Sequence, residues 1–426
     1  MAKKNLFIVG LDDFNLAKLR RLPQAEDCEF HEALGVADIR DVAGYDMAAL
    51  LDKAAAAIER FDGSVDGVAT YWDFPGTILV PMLAKRFGLR GPSLEAVLKA
   101  EHKFWSRQQQ QKAIPDNIPR FKAFDPFADD AYETLGMVPP FWIKPFKSFR
   151  SFLAFHIHQP RELQQALEVI REREGFFGEP FRWALKQADI PADIAEMRES
   201  FIAESVIGGA QCTLEGYMHG GEFTAYGVVD SVREPHASSF SRYEYPSSLP
   251  LEVQQQMIDV ARAAVEQIGL DDSPFNIEFF YDQSAAKVWL LEINPRTSQA
   301  HTDLFEKVHG ASQLGVMVDI ALGRKPALME RNGDFPVAAH FMLRVHQDGR
   351  VERVPDADAI DRLRDHVSGI DVKIDVKPGQ RLSDLQGQDM YSYQLASIFV
   401  GGRDQEDLLD KYDLALTALQ FDIAND

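Results

Sequence analysis

The sequence predicts a mixed α/β protein, and three observations carry that reading. The first third alternates short apolar runs with helical patterns, the order of a parallel sheet with crossover helices. Further on, two alternating runs at 276–281 and 287–294 flank a polar segment, the pattern of a β-hairpin. The last hundred residues mix strand-like runs with two helical segments. At 426 residues the chain exceeds one compact core, so two to three domains are expected.

Hydrophobic content of 46% and charged content of 26% are those of an ordinary globular protein. The 45 basic residues are outnumbered by 66 acidic ones, and a net charge of −21 repels nucleic acid and anionic membranes. Small-molecule partners are expected instead, and an anionic ligand would have to be held by locally aimed lysines and arginines. Cys28 and Cys212 have neither zinc nor disulfide-framework spacing, which favours a reducing compartment. The opening apolar run is too short for a signal peptide and no stretch has the length of a membrane span, so a cytoplasmic protein is expected.

Residues 6–9 form a continuous apolar run ending at Gly10, the form of a strand buried on both faces, and similar runs follow at 28–30 and 65–70. Helical patterns at 47–60 and 76–87 complete the βα units. The dinucleotide fingerprint G-x-G-x-x-G is absent after the first strand, which disfavours a nicotinamide oxidoreductase. Tyr71, Trp72 and Asp73 follow the third strand at the carboxyl edge, where open α/β sheets bind ligands; an aromatic loop packing on a neighbouring domain is the ordinary alternative.

A helical stretch is expected from Ser93 to Lys103 and a short strand at 141–145. Lys144 sits inside that apolar strand, and a lysine buried without a counter-charge is costly, so it implies an anionic partner. An amphipathic segment at 161–174 follows, and then strands at 213–217 and 223–229 paired about His219, Gly220 and Gly221. Residues 254–268 carry apolar side chains at helical spacing and stop at Gly269, as a core-facing helix does. Beyond the hairpin, a helical region at 304–322 breaks near Gly310. A hairpin of 337–345 with 351–354, a helix at 357–365, strands at 371–376 and 391–400 and a closing helix at 403–419 complete the chain.

The hairpin at 275–296 organises the rest. If its loop is centred on Ala285, Glu278 faces Glu292, Ile277 faces Ile293 and Phe279 faces Leu291. One face then carries Asn276, Glu278, Val288, Leu290, Glu292 and Asn294, and the other carries the core residues Ile277, Phe279, Trp289, Leu291 and Ile293. Carboxylates opposed across strands, roughly 5 Å apart at Cβ, repel unless a cation lies between them. The oxygen ligands Glu278, Glu292 and Asn294 suit magnesium, which keeps room for water and nucleotide phosphates. Pro295 ends the ladder and Arg296 sets a permanent cation beside the metal. An exposed hairpin face with two solvated glutamates is the ordinary alternative.

The wording L-E-I-N-P-R, preceded by N-I-E-F-F, resembles the metal-binding hairpin of the ATP-grasp ligase superfamily. The resemblance implies an N-terminal Rossmann-like domain over 1–95, a nucleotide-binding region over 96–325 with a lid lobe at about 138–205, and a C-terminal mixed lobe over 326–426. That last lobe is similar to the one beside biotin carboxylases and amino-acid ligases, and would support the active site or a homodimer contact.

The resemblance also implies site residues. Lys103 would contact the nucleotide phosphates, although the family's Asp-Lys pair is here His102-Lys103. Lys144 matches the strand lysine that reaches the α-phosphate and the adenine edge. The stretch 201–209 looks like the family's hinge strand, where main-chain groups near Glu204 and Ile207 would pair with adenine, and Gln211 stands where an acid holds the ribose. The family's glycine-rich lid is replaced by F-K-S-F-R-S-F, in which Ser148 and Ser151 stand for the family's serines while Lys147 and Arg150 add charge. This implies a stiffer basic lid gripping phosphate through side chains, with loss of triphosphate turnover as the competing inference. Gln299 and His301, after N-P-R, are candidates for binding the acid or the nucleophile; for His301, helix capping or packing is the ordinary role.

The implied activity is an ATP-dependent carboxylate-amine ligase working through an acyl phosphate, with ATP and magnesium or manganese, Lys103 and Arg296 as catalytic cations, and an amino acid or similar metabolite as substrate. The alternatives are a bicarbonate-phosphorylating carboxylase with a separate biotin carrier, since no biotinyl site is present in the sequence, and a catalytically idle nucleotide-binding module.

Overall fold

The computed structural model describes residues 3–40, 44–148, 153–173, 178–197, 200–234, 239–327, 330–385 and 392–424. Three parallel strands open the chain in the spatial order Cys28–Gly35, Lys4–Leu11, Gly67–Ala69. Helices Met47–Glu59 and Gly76–Phe87 cover one face, burying Ala54, Ile58, Ile78 and Leu83 against Phe7, Val9 and Val68. The first starts where the Asp46 side chain accepts from the Ala49 N–H; the second stops at Gly88, whose φ of 65° is the left-handed cap that glycine adopts without strain. Helix Gln313–Ala321 covers the other face, packing Leu314, Met317 and Val318 on Leu6 and Ile8. The segment that follows the hairpin is therefore anchored on the N-terminal sheet.

A buried ion pair reinforces that anchor. Lys18 Nζ lies 2.5 Å from Asp303 Oδ2, with both side chains less than a tenth exposed, tying helix Asp13–Leu19 to helix Thr302–His309. Asp303→Asn keeps an acceptor but removes the charge opposite Lys18, and is expected to cost about 2 kcal/mol. Urea denaturation of the two proteins measures it; equal midpoints would show that the pair does not contribute.

Two antiparallel sheets form the centre. The smaller runs Phe121–Phe124, Phe201–Ser205, Phe141–Pro145, Phe155–Ile157. Helix Pro160–Arg173 packs Leu163, Leu167 and Ile170 on its Phe141, Ile143, Ile157 and Phe201 face. Its other face carries Trp142 opposite Glu204 and Lys144 opposite Ile202. The larger sheet has eight strands, ordered Lys287–Asn294, Ser273–Asp282, Ala210–His219, Glu222–Arg233, Phe240–Tyr245, Val337–Val345, Tyr393–Gly402, Ile370–Ile374. Helix Leu251–Ile268 backs it through Met257, Ala261, Ala264 and Val265. Among the described residues, no helix is long and apolar enough to cross a membrane.

Several expectations are corrected in detail. The stretch 93–103 is not one helix: Leu94–Glu101 ends at His102, which caps a new helix, Lys103–Ala113. Strand Arg350–Arg353 does not pair with Val337–Val345 but with Asp422–Ala424 at the end of the chain. The strands Phe121–Phe124, Phe155–Ile157 and Phe240–Tyr245 were not foreseen; each is short or interleaves polar residues, so the apolar alternation is weak.

Candidate active site

The hairpin register matches expectation where the acids lie and departs from it one residue later. Asn276 faces Asn294, Ile277 faces Ile293 and Glu278 faces Glu292, but Phe279 faces Leu290 rather than Leu291. A β-bulge at this point leaves Leu291 as the extra residue and reverses the faces beyond it. Val288 and Leu290 thus join Ile277, Phe279 and Ile293 in the core, each at most 2% exposed, while Trp289 and Leu291 turn to the other face. Arg107 accounts for the bulge: its guanidinium donates to the Leu290 carbonyl (3.2 Å) and the Leu291 carbonyl (2.7 Å).

Arg107 also links the two sheets. Its Nε donates to Glu204 Oε1 at 2.5 Å, and Lys144 Nζ lies 2.5 Å from Glu204 Oε2. Glu204 is the anionic partner that a lysine on the 141–145 strand required. Burial works against its charge, but Arg107 and Lys144 prevail and hold its carboxyl down to about 2. Trp142, on the same face, stacks on His156 at 4.6 Å with planes 8° apart. Strand Phe201–Ser205 leads directly to the half-buried Ile207.

Lys103 stands over the acids. It begins its helix because His102 Nδ1 accepts from the Trp105 N–H at 3.1 Å, a role open to a neutral imidazole; burial pushes His102 down to about 3. Lys103 Nζ donates to Glu292 Oε1 at 2.6 Å and to the carbonyl of Ser148 at 3.0 Å. Ser148 is itself buried, and Arg150 and Ser151 lie outside the described residues. Burial opposes the Glu292 charge, yet Lys103, with Lys144 and Lys147 further off, keeps its carboxyl below the usual range. Glu278 moves the other way, raised by burial and by the Glu292 charge facing it. Gln211 Nε2 donates to Glu278 Oε2 at 3.1 Å, while its Oε1 accepts from Arg233 Nη2 at 2.7 Å. Gln211 therefore spans Arg233 and the hairpin.

The residues present fit a hard divalent cation. Glu278 and Glu292 oppose each other without full compensation, and the Asn294 amide donates to Asn276 Oδ1 at 3.1 Å, so its own oxygen could serve as a third ligand. Among the described residues no group of three or more His, Cys, Asp or Glu gathers at one metal site.

Beyond the acids, Arg296 Nη2 donates to Asp73 Oδ2 at 3.0 Å. Lys147, expected to grip phosphate, is instead buried between Asp73 Oδ1 (3.0 Å) and Glu101 Oε2 (2.9 Å). Gln299 donates to the Tyr71 carbonyl at 3.1 Å and accepts from Asn15 Nδ2 at 3.3 Å, fastening the chain after Arg296 to the N-terminal sheet edge. His301 Nδ1 lies 2.6 Å from Glu215 Oε1, a pair almost wholly buried, with Tyr243 edge-on to the ring at 4.8 Å. Burial raises the Glu215 carboxyl, and His301 is the first group to oppose that. Arg107, Glu215 and Arg233 were not foreseen. Arg107 lies one helical turn after Lys103, a spacing that puts both on one face, and Glu215 continues the alternation of Gln211 and Thr213 along its strand.

Residues 137–302 match the ATP-grasp domain family. A curated relative, the uncharacterized protein y4rH of Sinorhizobium fredii (strain NBRC 101917 / NGR234), is 26% identical over 161 residues, covering 38% of this chain. The chain matches about a third of that relative's length, 32%. An L-amino acid ligase from Bacillus licheniformis superposes with a TM-score of 0.74 at 16% identity over 100% of both chains. Phosphoribosylglycinamide synthetase from Anaerococcus prevotii gives 0.67 at 12% identity, over 99% of this chain and 100% of the other. Biotin carboxylase from Campylobacter jejuni gives 0.67 at 15%, over 99% and 92%. Residues 137–302 thus match the ATP-grasp domain, and the chain shares the fold of the L-amino acid ligase along its whole length.

Proposed function

We propose that this protein is an ATP-dependent ligase that activates a substrate carboxylate as an acyl phosphate and joins it to an amine, with an amino acid or similar small metabolite as substrate. The observation that carries the reading is Glu278 facing Glu292 beneath Lys103. Glu278, Glu292 and Asn294 would hold magnesium or manganese, which when bound neutralises phosphate charge. A carboxylate oxygen of the acid attacks the γ-phosphorus of ATP, the bond to the bridging oxygen breaks, and ADP leaves. The amine nitrogen then attacks the acyl carbon, loses its proton, and inorganic phosphate departs.

In this reading Lys103, Lys144 and Arg296 stabilise charge on the transferring group, and no protein nucleophile is needed. Main-chain groups around Glu204 and Ile207 take the adenine, Gln211 the ribose, and Ser148, Arg150 and Ser151 the lid side of the phosphates. Gln299 and His301 shape the acid site from behind Arg296. The same reading divides the chain at about residues 95 and 325 and assigns the last part to lobe support or a homodimer contact in a cytoplasmic protein.

ADP release measured with a panel of amino acids, with bicarbonate and with no acid tests the proposal. Release that depends on acid and amine together is expected. Bicarbonate-dependent release would move the protein to the carboxylase type, and nucleotide binding without release would make it an idle module.

A further inference from the structure

Four chain segments meet in one network around Asp73 and Lys147. Asp73 follows strand Gly67–Ala69 at the carboxyl edge of the parallel sheet; its Oδ2 accepts from Arg296 Nη2 at 3.0 Å and its Oδ1 lies 3.0 Å from Lys147 Nζ. Arg296 comes from the end of the metal hairpin, where its carbonyl accepts from Asn276 Nδ2 at 2.9 Å. Lys147 lies just beyond strand Phe141–Pro145, at the root of the lid, and its second partner, Glu101, ends the helix before Lys103. The lid root is tied to the same place through its backbone, since the Lys103 N–H donates to the Phe146 carbonyl at 2.8 Å. Glu101 and Lys147 are almost wholly buried, at 3% and 7% exposure of their side chains, whereas Asp73 and Arg296 remain about a fifth exposed, at 23% and 19%. The outer half of the network thus keeps contact with solvent, unlike a purely internal salt bridge.

We propose that Asp73 is a positioning residue for phosphoryl transfer: one carboxylate from the N-terminal sheet orients Arg296 and pins the lid root through Lys147. This rests on the ligase reading given above. Two consequences differ in sign. Asp73 adds a negative charge beside the place where phosphate oxygens gather, so it weakens nucleotide binding. It also fixes the guanidinium that must meet the transferring group, so it speeds turnover. A residue with only a structural role would raise both or neither.

The test titrates the full-length protein and its variants with magnesium and the β,γ-imido analogue of ATP by calorimetry, and measures ADP release with the amino-acid panel. Asp73→Asn is expected to bind the analogue roughly 3- to 10-fold more tightly, because a carboxylate charge near the phosphates is removed, and to release ADP at least about tenfold more slowly. Asp73→Glu restores the charge but not the position, and is expected to bind the analogue as the wild type does while remaining slow. Analogue binding by Asp73→Asn that is unchanged or weaker overturns the proposal, as does wild-type turnover in either variant. Should Asp73→Asn not fold, Asp73→Glu decides the matter by its rate. A wild type that binds the analogue but releases no ADP with any acid defeats the ligase reading; the analogue titration of Asp73→Asn then judges the charge role of Asp73 separately, tighter binding sustaining it and equal or weaker binding ending it.

Discussion

Glu292→Gln is expected to reduce ADP release by about a thousandfold or more, the scale on which removal of a transition-state charge partner acts. The fold should survive, because the change removes one of two opposed acids and leaves Lys103 free to neutralise Glu278. The melting temperature is therefore expected to stay level or rise slightly in the absence of metal. Steady-state ADP release and a thermal melt, run side by side, check both halves. Retained turnover would remove the metal assignment; a collapsed melt would show that the pair serves stability instead.

Glu204→Ala is expected to have the largest effect on stability. Arg107 and Lys144 both pair with this carboxylate, and deleting it leaves a buried guanidinium and a partly buried ammonium without their shared partner, at a cost of about 3–5 kcal/mol near pH 7. The pH dependence follows from the depressed carboxyl. A group held at about 2 against an ordinary 4.5 contributes its full stability above 4.5 and loses it as the pH falls toward 2. The contribution is about 3 kcal/mol. Urea denaturation at pH 7 and pH 3 should accordingly show a smaller gap between wild type and variant at the lower pH. An equal gap at both would mean that packing, rather than charge, sets the value of Glu204.

Much of the site was legible because its strongest signal is local. Glu278 and Glu292 lie fourteen residues apart on two strands of one hairpin, so alternation alone places them opposite each other. The bulge at Leu291 was not legible, since its cause is Arg107, which lies nearly two hundred residues away and reaches the hairpin backbone only after the chain has folded. Lys144 announced an anionic partner because its strand is apolar, but the sequence offered no way to choose Glu204 over a phosphate. Lys147 was misread for the same reason. Its neighbours in sequence belong to the segment read as a lid, whereas its neighbours in space are Glu101 and Asp73. The helices at 47–60 and 76–87 were read to within a residue because capping groups and apolar periodicity coincide there.

The eight-stranded sheet has a practical consequence for anyone wishing to work with a smaller protein. Strands Val337–Val345, Tyr393–Gly402 and Ile370–Ile374 continue the ladder that begins at the hairpin of Glu278 and Glu292, with Tyr243 paired to His340 and Glu244 to Ala339 across the join. Trimming the chain after residue 330 would strip one side of Phe240–Tyr245 of its partners and bare a row of N–H and C=O groups. Such an edge is a ready template for strand pairing between copies, so the shortened fragment should aggregate more readily than the whole chain.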